Sequence, residues 1–189
     1  MILEKAVPQE LNEICKVYQD VIEAMDAEGN HQWRWGEYPH EAMLREDIAL
    51  GRLYVAHEQD KVIAAVVVDQ TQDEQYTRIP WLFGVRPGGF HRLAIAPSQQ
   101  GKGLGKKLLA EMEELMKSWG CDFLRCDTRI ENARALKLYA GAGMRRVGAG
   151  ERSANGSGSE EGEAAIFAKG RFRPQGPAQV CDYNNVANQ

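Results

Sequence analysis

Long apolar runs, basic clusters and a secretory signal are all missing from this chain of 189 residues. No apolar run approaches the roughly eighteen residues that span a bilayer, so we expect no membrane association. The first residues, Met1-Ile2-Leu3-Glu4-Lys5, lack the charged and apolar regions of a signal peptide, which predicts a cytoplasmic protein. The net charge of -4 without any basic run argues against a nucleic-acid partner and slightly favours a cationic substrate.

Cysteine is scarce, and its spacing fits none of the common cysteine-based sites. Only Cys121 and Cys126 of the four cysteines lie close together in the sequence. Neither these two nor Cys15 and Cys181 form a C-x-x-C pair or join a histidine cluster. We therefore expect reduced thiols with a mostly structural role and no metal site.

A glycine-rich turn that opens an amphipathic helix stands out against this background. Apolar residues recur at steps of three and four over 104–119, which predicts a helix with one buried face that Gly120 ends. The start of this helix contains three glycines, Gly101, Gly103 and Gly105. Glycines let the backbone approach a ligand closely, and the cations Lys106 and Lys107 at a helix start favour an anion in front of it. The turn therefore predicts a phosphate or pyrophosphate site.

Two common nucleotide-binding patterns do not fit this turn. A P-loop needs glycine at its sixth position, but the sixth residue counted from Gly101 is Lys106. In the dinucleotide fingerprint the third glycine would follow one residue later than Gly105. What fits is Gln/Arg-x-x-Gly-x-Gly/Ala, present as Gln100-Gly101-Lys102-Gly103-Leu104-Gly105 after the strand Leu93-Ala94-Ile95. We call residues 100–105 the glycine turn.

A second segment makes the pattern specific. It is Asn132-Ala133-Arg134-Ala135-Leu136-Lys137-Leu138-Tyr139, followed by Gly143-Met144. Together, in this order and spacing, the two segments resemble those of the GNAT superfamily of N-acetyltransferases. The family's second pattern is Asn-x-x-Ala-x-x-Leu-Tyr-x-x-x-Gly-Phe, and this chain departs from it only at Met144. The resemblance covers residues 50 to 148 closely and the N-terminal part loosely.

The order of elements predicts one domain with a mixed α/β fold over 1–173 and a polar tail over 174–189. Helices are expected over 8–29 and 40–50, and Asn132 is expected to cap a further short helix. Strands are expected over 53–57, 62–68, 90–96, 123–127, 144–147 and 164–168. The strand, helix, strand order around the glycine turn implies a parallel crossover. The sheet is therefore mostly antiparallel with one parallel pair, and helices cover both faces.

Three connections between these elements differ in character. Residues 58–61 form a hairpin, whereas residues 69–89 are longer than a hairpin needs and are a candidate lid or acceptor-binding segment. The Gly/Ser/Glu-rich residues 148–163 are expected to connect the two closing strands.

The resemblance implies acetyl-CoA as cofactor, held between two parallel strands that splay apart. Main-chain groups of Leu93, Ala94 and Ile95 would bond its pantetheine arm. The pyrophosphate would lie on the glycine turn and the start of the helix, with Gln100, Gly101, Lys102, Gly103, Leu104, Gly105 and Lys106 as the binding residues. Asn132 and Tyr139 would also contact the cofactor.

Direct attack of an amine on the acetyl thioester requires a neutral amine, a stabilised oxyanion and a proton for the leaving thiolate. The resemblance implies the backbone amide of Ile95 as oxyanion donor. Tyr139 is the candidate general acid because a phenol can protonate a thiolate within hydrogen-bond reach. No cysteine lies near either motif in the sequence to support a covalent enzyme intermediate.

The candidate base is His91, a histidine two residues before Leu93 and therefore expected on the same strand face as Leu93 and Ile95. A pKa near 6.5 suits a group that accepts a proton through water. The alternative is a histidine at the rim without a catalytic role. Asp127, at the end of the neighbouring strand, is a weaker candidate for the base or for an anchor of the amine.

Four aromatic side chains could form a box for a cationic or aryl amine, or pack in the core: Trp33, Trp35, Tyr38 and Trp81. The sequence thus favours an N-acetyltransferase acting on a small primary amine. Two alternatives stay open, an acetyltransferase of peptide or protein amines and a non-catalytic sensor that binds acyl-CoA. Whether the chain forms a homodimer also stays open.

Overall fold

The computed structural model describes residues 2–71, 76, 84–152 and 162–170. Four α-helices are present in them: α1 (Leu11–Ala27), α2 (Glu41–Ala49), α3 (Leu104–Ser118) and α4 (Ala133–Gly141). The strands are β1 (Glu4–Lys5), β2 (Leu53–Glu58), β3 (Lys61–Asp69), β4 (Pro87–Ile95), β5 (Phe123–Arg129), β6 (Arg145–Arg152) and β7 (Gly162–Lys169). One turn of 3-10 helix, Pro8–Glu10, precedes α1, and another, Pro97–Gln99, precedes the glycine turn.

All seven strands belong to one sheet in the order β1-β2-β3-β4-β5-β7-β6. Only β4 and β5 are parallel among these neighbours, which confirms the predicted mostly antiparallel sheet with one parallel pair. Because strand side chains alternate between faces, the sheet buries one apolar cluster on each side. One cluster contains residues of α1 and α2 and defines the α1 face. The other contains residues of α3 and α4 and defines the α3 face.

The parallel pair is short, and its end creates the gap that the resemblance implied. Pairing of β4 with β5 runs from Pro87 and Phe123 only as far as Gly89 and Arg125. Beyond these residues β4 stays paired with β3, and β5 stays paired with β7. The two strands therefore separate. We call the space between them, after Gly89 and Arg125, the gap.

The predicted helices and strands are present, with three corrections. The sequence predicted no strand at β1, and β4 begins at Pro87, inside the predicted connection 69–89. The third correction is at the closing strands. The expected connection 148–163 is too long, because β6 continues to Arg152 and β7 begins at Gly162. Ala149 and Gly150 have weak strand preference by themselves, but they pair with Ala165 and Ala164 of an inner strand. Pairing with a buried neighbour outweighs local propensity here. Residues 153–161 and the predicted tail 174–189 lie outside the described residues.

Candidate active site

The glycine turn contains glycines of two kinds. Gly101 and Gly103 have left-handed φ values of 75° and 84°, and a Cβ atom at either position would meet no atom within 4 Å. This open space allows a bound group to approach the backbone closely. Gly105 lies inside α3, where a Cβ would come within 2.9 Å of a Leu138 methyl group. Gly105 therefore serves the packing of α3 against α4.

The first turn of α3 directs unsatisfied backbone amides toward this open space. Gly103 is the N-cap residue, no side chain caps it, and no acidic residue lies in the first turn. The first amides of a helix have no partner within the helix and carry a partial positive charge. The Lys106 ammonium lies beside α4, 3.7 Å from where a Cβ of Gly141 would stand. Its side chain therefore packs on α4, and Lys102 is exposed on the turn.

The last residue of β4 turns its main-chain groups into the gap. The amide of Ala96 donates to the carbonyl of Ile63 over 2.9 Å. Because successive residues of an antiparallel strand alternate in direction, Ile95 directs its amide and carbonyl away from β3. The Gln100 side-chain amide donates to the Ile95 carbonyl over 2.8 Å, which agrees with this direction. By the same alternation Leu93 faces the gap, whereas Ala94 pairs with Ala65 and is fully buried.

A bulge in β4 reverses the predicted orientation of His91. The pairing of β3 with β4 shifts between Ala65 and Val67, and Arg92 has a left-handed φ of 52°. An extra residue in one strand moves every later side chain to the other face. His91 therefore lies on the α1 face with its partner Val67, while Leu93 and Ile95 pack on the α3 face. The expectation that the three share a face is wrong.

Two buried groups that the sequence analysis missed hold this bulge. Tyr18 donates its hydroxyl hydrogen to the Arg92 carbonyl over 2.7 Å. The Arg92 guanidinium forms an ion pair with the fully buried Asp47. Asp47 forms a second ion pair with Arg52, whose Nε lies 2.6 Å from Oδ1 of Asp47. The sequence feature that could have indicated the role of Asp47 is the position of this acidic residue directly before the apolar Ile48 in α2. These contacts stabilise a backbone conformation that is costly for a residue other than glycine.

His91 and Asp127 flank the gap on the α1 face. Gly89 and Arg125 are paired in register, and each candidate lies two residues further along its own strand. The His91 ring folds back over Gly89, where a Cβ would be only 3.4 Å from Nε2. The same Nε2 lies 3.5 Å from Oδ1 of Asp69 on β3. The two sequence-predicted candidates therefore lie on the same face of the sheet, one on each side of the gap.

Asp69 is a further acidic group of this face that the sequence analysis missed. Burial alone would raise the pKa of Asp69, but the hydrogen bond and charge of His91, together with hydrogen bonds from Thr71, outweigh it. The amide of Thr71 also donates to Oδ1 over 3.0 Å. Together these groups hold the pKa of Asp69 below its ordinary value, so the carboxylate is ionised beside the imidazole.

Asp127 is hydrogen-bonded to a residue of the long connection after β3. Tyr76, nearly fully buried, donates its hydroxyl hydrogen to Oδ1 of Asp127 over 2.5 Å. Burial, and then the charge of Asp127, raise the pKa of Tyr76 well above its ordinary value, so it stays a neutral donor. The Arg125 guanidinium lies 4.1 Å above the Tyr76 ring and donates to the Thr71 carbonyl over 2.9 Å. From the sequence, Tyr76 was placed in the candidate acceptor-binding segment 69–89 without a partner and Arg125 was not singled out, because only the fold brings them to Asp127.

Tyr139 lies at the same level of the gap on the α3 face. Its ring packs edge-on between Phe90 of β4 and Phe167 of β7, with both centroids 5.5 Å away. The side chains of Tyr139 and Cys126 on β5 are hydrogen-bonded. Tyr139 is therefore held in one place by apolar packing and points toward a sulfur atom.

Cys126 brings a thiol close to the second motif in space, although none lies near it in the sequence. Burial and the charge of Asp127 raise the pKa of this thiol well above its ordinary value, against the opposing effect of Tyr139. A protonated, buried thiol is a poor nucleophile. Its environment therefore gives no support to a covalent enzyme intermediate.

Asn132 caps α4 as predicted, since its Oδ1 accepts from the Ala135 amide over 3.0 Å. Its Nδ2 donates to Oε1 of Gln32 over 3.0 Å, which ties α4 to the segment between α1 and α2. Two of the four candidate aromatics are core residues: Trp33 packs on Tyr18 with centroids 5.8 Å apart, and Tyr38 is also buried. Trp81 lies outside the described residues.

Within the described part of the chain, no helix combines the length and apolar character needed to cross a bilayer. The same residues contain no group of three histidine, cysteine or acidic side chains placed to hold a metal ion.

Comparison with known proteins agrees with this architecture. Among solved structures, a GNAT acetyltransferase from Streptococcus agalactiae 2603 superimposes with a TM-score of 0.74 and 23% identity, over 90% of this chain and 95% of that one. The ribosomal-protein-S18-alanine N-acetyltransferase of Escherichia coli superimposes with a TM-score of 0.62 and 16% identity, over 90% and 94%. At these identities the likeness shows the fold alone.

Sequence relatives and a family model identify the family of this chain. N-alpha-acetyltransferase RimI of Mycobacterium tuberculosis is 34% identical over 70 residues, which are 37% of this chain and 42% of that protein. N-alpha-acetyltransferase 30 of Saccharomyces cerevisiae is 36% identical over 55 residues, 29% of this chain and 31% of that protein. This chain thus matches less than half of the length of either relative. The model of the acetyltransferase (GNAT) family matches residues 17–144, about two thirds of the chain, and the chain therefore belongs to that family of acyltransferases.

Proposed function

We propose that this chain transfers an acetyl group from acetyl-CoA to the primary amine of a small molecule by direct attack. The observation that carries the proposal is the arrangement of groups around the gap. Tyr139 stands at the gap on the α3 face, while His91 and Asp127 flank it on the α1 face. A proton donor on one face and proton acceptors on the other are what direct transfer through the gap requires.

The glycine turn supports acetyl-CoA as the donor, which supplies an acetyl thioester that an amine can attack. Gly101 and Gly103 leave room where a Cβ would otherwise stand, and the first amides of α3 face that room. Leu93 and Ile95 offer main-chain groups in the gap to an extended arm. Gln100 and Lys102 complete the polar rim of the turn, and Asn132 stands at the α4 side.

On the α1 face, Asp127 attracts the protonated amine and His91 removes its proton, directly or through one water molecule. Asp69 orients the imidazole and stabilises the positive charge that His91 acquires. Tyr76 holds Asp127 in place from the other side. The neutral amine nitrogen then forms the new bond to the acetyl carbon.

In the gap and on the α3 face, two groups assist the same step. The Ile95 amide stabilises negative charge on the acetyl oxygen, an interaction worth about 3 kcal/mol in other enzymes. Tyr139 donates its proton to the sulfur as the carbon–sulfur bond breaks. The proton taken up by His91 and the proton given by Tyr139 balance, so solvent exchange restores both groups.

Groups on the α1 face favour one class of acceptor. Tyr76 and Arg125 fasten the connection after β3 against β5, which supports an enclosed acceptor site more than an open groove. Asp69 and Asp127 give this enclosed site two carboxylates. A small cationic amine fits this combination of size and charge.

The second candidate is acetylation of a peptide or protein amine. It is favoured by the names of two sequence relatives, both N-alpha-acetyltransferases. The acceptor would then enter as the end of a peptide chain.

The test is release of free CoA thiol from acetyl-CoA across arylalkylamines, polyamines, amino acids, aminoglycosides and short peptides with free N-termini. Turnover confined to one class of small amine supports the proposal, and turnover confined to peptides supports the second candidate. Binding of acetyl-CoA without turnover of any acceptor would support the alternative of a non-catalytic sensor that binds acyl-CoA.

A further inference from the structure

Arg134, in the first turn of α4, connects three parts of the site. One nitrogen of its guanidinium donates to the side-chain oxygen of Gln100 in the glycine turn. The other pairs with the carboxylate of Glu28, the residue at the C-terminal end of α1. Sequence reasoning placed Arg134 inside a motif without giving its side chain any role.

The contact continues from Gln100 into the gap. Gln100 uses its oxygen for Arg134 and its amide for the carbonyl of Ile95, 2.8 Å away. The chain of contacts from Ile95 through Gln100 and Arg134 to Glu28 therefore crosses from the end of β4 to α4 and α1. This is the side from which an extended ligand bound to the glycine turn must reach the gap.

These contacts are poorly suited to a purely structural role. The Arg134 side chain is 60% exposed and that of Glu28 is 44% exposed. Ion pairs this exposed contribute little to folding stability. A guanidinium is, in contrast, a strong partner for phosphate because it donates two parallel hydrogen bonds. Arg134 is held beside the turn that the proposed function assigns to phosphate groups, and the carboxylate holding it there competes for the same nitrogens.

We infer that Arg134 is a phosphate-binding residue for the cofactor and that Glu28 restrains it, so that Glu28 weakens cofactor binding. The inference rests on the proposed function, since it requires coenzyme A at the glycine turn. Binding exchanges the Glu28 carboxylate for a phosphate group. The end of α1 is then released by Arg134, which links occupancy of the cofactor site to the side where the acceptor enters.

The inference predicts changes of opposite sign in the affinity for coenzyme A. Replacement of Arg134 by Gln should weaken binding about tenfold, because a charged pair to phosphate is lost. Replacement of Glu28 by Gln should strengthen binding about two- to fivefold, because the competing carboxylate is removed. The double variant should bind like Arg134→Gln alone, because Glu28 acts only through Arg134.

Isothermal titration calorimetry with coenzyme A and with dephospho-CoA measures these affinities, and thermal unfolding checks that each variant is folded. Arg45→Gln is the matched control, because Arg45 forms an equally exposed pair with Glu41 on α2. It should leave the affinity unchanged. A loss on Arg134→Gln that is confined to coenzyme A assigns Arg134 to the 3′-phosphate, and an equal loss with both ligands assigns it to the pyrophosphate.

Failure of the inference is distinct from failure of the proposed function. If the unsubstituted protein binds neither ligand, the proposed function itself is overturned. If it binds and Arg134→Gln behaves like Arg45→Gln, the inference alone is overturned. Weakening by Glu28→Gln to the same extent as by Arg134→Gln also overturns it, because that result is what a structural tie between α1 and α4 would produce.

Discussion

The two faces of the sheet hold their groups at the gap by different means. On the α3 face Tyr139 is held between two aromatic rings within an apolar cluster, where its side chain is also hydrogen-bonded to Cys126. On the α1 face hydrogen bonds and charge hold both candidates, His91 through Asp69 and Asp127 through Tyr76. The α3 face therefore depends on shape and the α1 face on charge. Substitutions that remove one atom without changing shape should affect the two faces differently.

The largest effect is expected for Tyr139→Phe. Packing against Phe90 and Phe167 is kept, but the proton donor is lost, so kcat should fall about 100-fold or more while the Kd for coenzyme A changes little. Steady-state thiol release and calorimetry measure the two quantities. Tyr54→Phe, in the same apolar cluster, is the matched control and should leave kcat unchanged. A normal rate for Tyr139→Phe would exclude the phenol as the acid.

Asp127→Asn should act on the acceptor instead of the cofactor. Loss of the carboxylate should raise the KM for a cationic amine about tenfold while the Kd for coenzyme A stays unchanged. Tyr76→Phe should have a smaller effect of the same kind, because Asp127 keeps its charge but loses a hydrogen bond. An equal loss of coenzyme A affinity in both variants would show that Asp127 does not serve the acceptor.

Tyr18→Phe tests the hydrogen bond that stabilises the bulge. It removes the hydrogen bond to the Arg92 carbonyl with little change of volume, so the free energy of unfolding should fall by about 1 kcal/mol. Because the bulge orients both His91 and Ile95, kcat should fall several-fold as well. Urea unfolding and thiol release measure these changes. A stability loss without any change in kcat would separate the bulge from catalysis.

The smallest effect is expected from the ionisation of Asp69. Its pKa in the folded protein lies below the ordinary value, so its carboxylate stabilises the fold above the unfolded pKa of about 3.9. That contribution is lost as the pH falls through the lower folded pKa. The stability difference between the protein and Asp69→Asn should therefore shrink as the pH falls below about 4. A difference that grows below about pH 4 would reverse the assigned direction of the pKa shift.

The two faces also differ in how much of each was predictable from the sequence. The glycine turn, α3 and α4 are local features, built by residues close together in the chain, and their positions were predicted closely. Tyr139 was proposed as the acid because it belongs to a contiguous motif. The partners of Asp69, Tyr76 and Asp47 were missed because each lies tens of positions away, and nothing in the local pattern marks such a partner.

Sequence alone determined the element order, the parallel crossover, the cap at Asn132 and the family, because these follow from periodicity and from motifs of short range. Only the tertiary structure decided how the site is arranged. The bulge at Arg92 placed His91 on the α1 face, opposite to the alternation expected for a regular strand. Close packing made Gly105 a contact between helices and left Gly101 and Gly103 facing open space. Register and packing are properties of paired strands and helices, so no single segment of the chain contains them.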